Sequence, residues 1–392
     1  MTARARRSLA CAAAAAGILV ASNAHAALCS SLPSPVYVTG GGRVVFEKLG
    51  PVLAQNGITL VYKLQGSCLA RDAILNGVPV TGKGAAGGQY WTSASTSSCD
   101  FDDAGNVAAI GVSDVFPQTC GVLPNGLPSN VGDFNGPVES YVFVVPNGSK
   151  QQVISRKAAY FAYGFGKDSG VDPWTNESFI FQRGPTSGTQ QMMGLAIGVP
   201  PDRWKGALAA SSSDVVKQLS AAQNQEAALG ILTAEVYTDN LLQVKALAYQ
   251  DDDQLCGYYT DTTAAASDKR NVRDGHYTIW GPLHYLTRLD ANGFPSNATA
   301  KEIVSYITGT KDPPGGLDLI KVLAKVGLVP QCAMTVRRGS EMGPLSSFQP
   351  ERGCGCYFDF LATGATTCQS CKGANDCPSQ RPHCNYGYCE AQ

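Results

Sequence analysis

The sequence predicts an α/β protein of two lobes carrying a small disulfide-rich C-terminal appendage. Three observations predict it. Short β runs alternate with amphipathic helical patterns from Val36 onward. The chain, at 392 residues, is too long for one ordinary core. Finally, Cys354, Cys356, Cys368, Cys371, Cys377, Cys384 and Cys389 crowd the last 39 residues, which is the density of a unit stapled by disulfides rather than held by a core.

Arg4, Arg6 and Arg7 precede an Ala-rich apolar run to Val20 and then Ala24-His25-Ala26, the small-x-small pattern of a signal-peptidase site. Residues 1–26 therefore read as a signal peptide cleaved after Ala26, and the product as a soluble periplasmic protein. A membrane anchor needs roughly 20 consecutive apolar residues, more than this run supplies. Cys29 follows Leu28 where a lipobox needs a small residue, so no lipid anchor is expected. Loss of the three arginines takes the net charge from −1 to −4. No overall field then draws in nucleic acid, and an anion must be captured locally. Of 14 cysteines, Cys11 lies in the signal, and the other 13 predict six pairs and one odd thiol.

Taken in order, VYVT (Val36 to Thr39) reads as a buried strand, turned by Gly40-Gly41-Gly42 into a helix carrying Val45, Leu49, Val52 and Leu53. ITLVYK (Ile58 to Lys63) is a second strand, and Gly66-Ser67 opens a helix with Leu69, Ala73 and Ile74. Gly77 to Asp103, rich in Gly, Ser and Thr, reads as a surface insertion. VAAIGV (Val107 to Val112) ends at Ser113-Asp114, and SYVFVVP (Ser140 to Pro146) is a further strand. A helix is expected around Ala158 to Tyr163, a strand at FIFQ (Phe179 to Gln182), helices near Asp214 to Ala221 and Gln225 to Leu232, and a strand from Val244. After HYTIW (His276 to Trp280), helices near Lys301 to Ile307 and Gly316 to Val326 complete the globular part. The alternation predicts a largely parallel sheet. Chain crossings near Ser140 to Pro146 and His276 to Pro282 divide it into a first lobe of residues 27–140 and 277–353, a second lobe of 141–276, and a Cys-rich tail of 354–392.

Four turns follow strands directly: Gly40-Gly41-Gly42, Gly66-Ser67, Ser113-Asp114, and Arg183 to Thr189. In open α/β sheets such edges line the ligand crevice, and helices starting there point N–H groups and a positive dipole end into it. Serine and threonine hydroxyls, close-approaching glycines and the planar fork of Arg183 together describe an oxyanion site. Gly40-Gly41-Gly42 fits neither G-x-G-x-x-G nor the Walker pattern, so no nucleotide and no cofactor is expected.

In their order and spacing, VTGGG, GSC, GVSD and R-x-x-x-SGT resemble the periplasmic phosphate-binding protein of the phosphate ABC transporter, a type 2 periplasmic-binding-protein fold. The likeness covers most of residues 36–335. It implies capture of phosphate, or a related oxyanion, by a monomer that presents it to a membrane ABC permease. Carried residue by residue, it implies that Val44 and Val45 lie at the first helix start, where the family has a Thr hydroxyl and a Phe. Ser67 would donate its hydroxyl, Asp114 would accept a proton from the ligand, Arg183 would pair with it, and Ser187, Gly188 and Thr189 would cradle it. A carboxylate repels an oxyanion unless the ligand carries a proton to share, so Asp114 would favour protonated phosphate over sulfate.

Catalysis is not expected. Ser187 lacks the G-x-S-x-G elbow, and His276, His284 and His383 are the available imidazoles. The competing reading is a non-transport envelope sensor or interaction protein that uses its tail; a phosphate-ester hydrolase is a third. Asp251-Asp252-Asp253 lacks the EF-hand frame and reads as a solvated loop, and Trp174 as packing. The C-x2-C step at Cys368 is better explained by disulfides than by zinc, so no metal is expected. Cys68 and Cys120, each just after a ligand turn, are placed to brace the cleft with a bridge.

Overall fold

A computed structural model describes residues 26–391; the signal-peptide reading falls, apart from Ala26, outside the described residues. The chain opens with β1 (Pro35–Gly40), α1 (Arg43–Gln55), β2 (Thr59–Leu64), α2 (Ser67–Leu75), a hairpin of β3 (Gly88–Trp91) and β4 (Thr96–Cys99), then β5 (Ile110–Ser113) and the long β6 (Val131–Pro146). There follow β7 (Val153–Ser155), α3 (Arg156–Phe165), β8 (Phe181–Gln182), α4 (Gly188–Ile197), β9 (Ala207–Leu208), α5 (Ser212–Ser220), β10 (Gly230–Thr233), α6 (Ala234–Thr238), β11 (Val244–Ala246), β12 (Ala248–Gln250) and α7 (Arg270–Arg273). The chain then returns through β13 (Trp280–Arg288), α8 (Ala298–Ile307) and α9 (Leu319–Lys325) to α10 (Gly355–Thr363). Among the described residues, no helix is long and apolar enough to cross a membrane.

The main sheet has nine strands in the order β10-β6-β13-β5-β1-β2-β3-β4, with β11 also on β6. In the first lobe, Leu60 and Tyr62 of β2 face a core with Phe46 and Leu49, while Val61 faces a second core with Ile74, Phe101 and Leu286. Both faces are covered, which is why these strands read as continuous apolar runs rather than alternating ones. Phe46, Leu49 and Leu53 recur on one face of α1 and dock there. The second lobe has its own core, in which Phe143, Tyr163, Met192, Trp204 and Leu232 meet.

The lobes share β6. Its residues 131–140 pair with β13, and residues 141–146 pair with β10 and β11. Tyr141 N–H donates to Ile279 C=O at 3.0 Å, so the two crossing segments lie side by side. This pairing corrects the expectation of a largely parallel sheet. In the main sheet β1 is parallel to β2 and β5, whereas every pairing of β6, β13 and β3 is antiparallel.

Two further expectations are corrected. Gly77 to Asp103 is not a surface decoration: β3 and β4 extend the main sheet, and Trp91, 3% exposed, joins the first core against Tyr62. Its few apolar residues hid a short edge hairpin. Gln225 to Leu232 is not a helix, because Gly230–Thr233 is a fully buried strand at the end of the main sheet, paired with β6 and packed under the α5 side chains Val215 and Leu219. Burial on both faces overrides the helix preference of Ala and Leu there.

Six disulfides are present among the described residues, and Cys256 is free and exposed. Cys29–Cys99 ties the N-terminal segment to β4, and Cys332–Cys354 ties the tail to the body. The tail's first turn also docks: Phe358 is fully buried in the second-lobe core, Arg273 pairs with Asp359, and Tyr357 donates to Asp318. Cys371, Cys377 and Cys384 lie close enough together to suggest a metal, yet they are committed to Cys371–Cys384 and Cys377–Cys389.

Gly50 sits under Trp91 so closely that a Cβ there would stand 2.6 Å from the indole. Trp91→Ala is therefore expected to lower unfolding stability by about 3–5 kcal/mol, the cost of a core aromatic truncation, measured by denaturant titration. A change below about 1 kcal/mol, typical of a surface position, would return the hairpin to decoration.

Candidate functional site

A cleft of about 480 Å³ lies between the lobes. Three helices of nine residues or more begin on it: α1 at Gly42-Arg43-Val44, α4 at Ser187-Gly188-Thr189, and α5 at Ser211-Ser212-Ser213. Helix starts carry unsatisfied N–H groups and a positive dipole end, so their convergence favours negative charge at one point.

Asp114 and Arg183, on opposite lobes, both line this cleft. The Asp114 carboxyl is wedged between two glycines. A Cβ on Gly41 would stand 2.2 Å from its Oδ1, and one on Gly188 would stand 2.7 Å from its Oδ2. Cross-lobe contact continues at Gly66, where a Cβ would stand 2.4 Å from Thr186 O, and at Cys68 N–H, which donates to Thr186 C=O at 3.4 Å. The lobes are closed on each other here.

The Asp114 loop is held from all sides. Ser67 Oγ accepts from the Asp114 amide at 3.0 Å and its hydroxyl favours the Asp114 carboxylate. Tyr141 donates to Asp114 C=O at 2.6 Å, Ser113 donates to Val115 C=O at 2.6 Å, and the Phe116 amide and Thr119 hydroxyl both donate to Glu341. The expected Cys68–Cys120 bridge is present and locks the start of α2 to the end of this loop. Behind it, fully buried His284 pairs through Nδ1 with Asp133 at 2.9 Å and packs on Phe116 at 4.2 Å. Burial raises the Asp114 pKa, while Ser67, Arg183 and His284 oppose that rise.

Arg183 is shaped by the same competition. Burial lowers its pKa, and Asp114 and Asp214 oppose the fall. One arm donates to Ser212 at the start of α5, while its Nε is buried with no partner. A guanidinium so placed has hydrogen-bonding capacity left to give.

The residues singled out from sequence separate into two groups. Val44, Asp114, Arg183, Ser187, Gly188 and Thr189 line the cleft together. Val45 does not: its side chain belongs to the first-lobe core and its amide already donates to Gly42. Ser67 is buried behind Asp114 and engaged by it on both sides, away from the cleft lining. His276 stands apart, paired with Asp274 at 2.7 Å and stacked on Tyr258.

Among the lining residues that escaped the sequence reading are Arg43, Ser212, Glu139 and Glu235. Glu139 is a carboxyl inside the apolar run of β6 and is 2% exposed, a signal in itself because lone buried acids are rare. Glu235 follows β10 directly, at the start of α6.

No family model and no curated protein matches this chain. Among solved structures, it is similar to a protein described as a phosphate ABC transporter substrate-binding protein of Clostridium perfringens with bound phosphate. The two share a TM-score of 0.50 at 12% identity, over 76% of this chain and 99% of that one. An ABC-type phosphate transport receptor from Vibrio cholerae aligns with a TM-score of 0.48 at 14% identity, over 76% and 100%. The chain has the type 2 periplasmic-binding-protein fold. At such identity the likeness is one of fold, and in this periplasmic-binding fold the Asp114–Arg183 cleft lies between the lobes.

Gly188→Ala places a methyl 2.3 Å from Ser67 Oγ, at the first residue of α4, where no interior helix bond is disturbed. Unchanged melting with a larger radius of gyration by small-angle X-ray scattering is expected, since the lobes cannot close over the added carbon. Scattering identical to the parent would mean that Gly188 does not govern closure.

Proposed function

We propose that this protein is an exported, non-enzymatic receptor that captures phosphate, or a closely related tetrahedral oxyanion, between its lobes and delivers it to a membrane ABC permease. One observation carries the reading: an acidic acceptor, Asp114, and an arginine with a free donor, Arg183, line one cleft from opposite lobes, with the start of α4 beside Asp114. A guest at that point would receive donors from Arg183 and from the Gly188 and Thr189 amides, and would have to offer a proton to Asp114. Phosphate can do so near neutral pH; sulfate cannot. Ser187 and Val44 complete the rim, and Ser67 acts through Asp114.

The chemistry supports binding over turnover. No histidine lines the cleft among the described residues, so Ser187 lacks the imidazole partner of a serine nucleophile there. The fold shared with a phosphate transporter receptor supports the transport role, and the six disulfides suit an oxidising compartment such as the periplasm.

Titration calorimetry of ligand-stripped protein against phosphate, arsenate and sulfate tests this directly. Phosphate and arsenate are expected to bind and sulfate not to. Arg183→Ala is expected to weaken phosphate by at least about thirtyfold, which corresponds to roughly 2 kcal/mol for a buried charge pair losing one partner. Asp114→Asn is expected to narrow the gap between phosphate and sulfate. Equal binding of sulfate by the parent protein would remove the role assigned to Asp114.

A further inference from the structure

The cleft built to attract an anion is lined by more acids than bases. Asp114, Glu139, Glu235, Asp239 and Glu47 face it, against Arg43 and Arg183, and Arg43 is already paired with Glu47 at 2.8 Å. Five charged carboxylates would repel any oxyanion.

Position identifies the group that matters. Glu235 comes from the second lobe, at the start of α6, yet its carboxyl faces the Val44 amide at the start of α1 on the first lobe. That helix start is one of the three that converge on the cleft, so a carboxyl of the protein itself stands where an incoming anion would be attracted. Glu139 lies behind it, with Oε1 buried and lacking a partner. We propose that Glu235 is a proton-linked specificity residue: its carboxyl holds the start of α1 until an anion arrives, and capture of that anion requires Glu235 to be neutral.

The electrostatics agree with the geometry. Burial first, then Asp114, Asp239 and Glu47, push Glu235 up to about 7, opposed by the Val44 amide. Burial, then Glu235 and Asp114, raise Glu139 well above its usual range. The remaining titratable neighbours, Tyr62 and Tyr285, are raised by burial and stay neutral. An arriving anion adds negative charge and raises Glu235 further, so above neutrality binding must bring in a proton. Well below pH 7 the group is already neutral and little is taken up. Affinity therefore falls with rising pH by this route, in addition to any loss from the ligand's own ionisation.

This inference rests on the oxyanion reading of the cleft, and its test separates the two. Calorimetry of the full mature chain with inorganic phosphate is run from pH 6 to 8.5 for the parent and for Glu235→Gln, in buffers of different ionisation enthalpy so that protons are counted. The ligand's own titration cancels in the ratio of the two affinities. That ratio is expected near one at pH 6 and to rise in favour of Glu235→Gln by up to about tenfold per pH unit above the Glu235 pKa, with the parent taking up more protons per phosphate at pH 8. Parallel affinity curves with equal proton counts overturn the proposal and leave the binding function standing. Absence of phosphate binding in both proteins at every pH overturns the function and this proposal with it. Should Glu235→Gln misfold, Glu235→Ala is read by the same ratio.

Discussion

The structure turns on the close approach of two backbones around one carboxyl. Asp114 occupies a slot walled by Gly41 and Gly188, where a Cβ on either would fall inside van der Waals distance of its oxygens. Gly41 belongs to one lobe and Gly188 to the other, so the slot exists only while the lobes are together. Closure and the positioning of the acid are thus a single event. Asp114, Arg183 and the start of α4 line the same cleft.

Much of the remaining architecture serves to keep that slot from drifting. The antiparallel pair β6 and β13 passes between lobes side by side, with Tyr141 N–H on Ile279 C=O, and this is a geometry about which lobes can hinge. Cys68–Cys120, Glu341, Tyr141 and Ser67 each fix the loop that bears Asp114. The net charge is close to neutral, so on the proposed reading selectivity for an anion would come from these local donors and from the protonation of the acids around them, not from the field of the whole molecule.

Much of this was legible in the sequence because turns after strands have residue requirements that survive as pattern. Gly40 to Gly42, Gly66-Ser67, Ser113-Asp114 and Arg183 to Thr189 each combine a glycine or serine with a preceding apolar run, and the two-lobed fold follows from their order. Local pattern could not show what depends on partners far away. Gln225 to Leu232 has helical composition, and only its insertion beside β6 makes part of it a strand. The β3–β4 hairpin has a single large anchor, Trp91, which is unremarkable until Gly50 is seen beneath it. Val45 sits in sequence beside Val44 but turns into the core, because successive helical residues are about 100° apart. Glu139 and Glu235 face one cavity from separate elements, so their mutual influence has no sequence spacing at all.

The central claim is that Asp114 and Arg183 share one tetrahedral guest. The measurement that tests it most directly is a crystal structure of the mature chain grown with phosphate. The account predicts one tetrahedral density between the lobes, within hydrogen-bond reach of the Asp114 carboxyl, the Arg183 guanidinium and the Gly188 and Thr189 amides. A well-ordered phosphate bound elsewhere, with the Asp114–Arg183 cleft filled only by water, would contradict it.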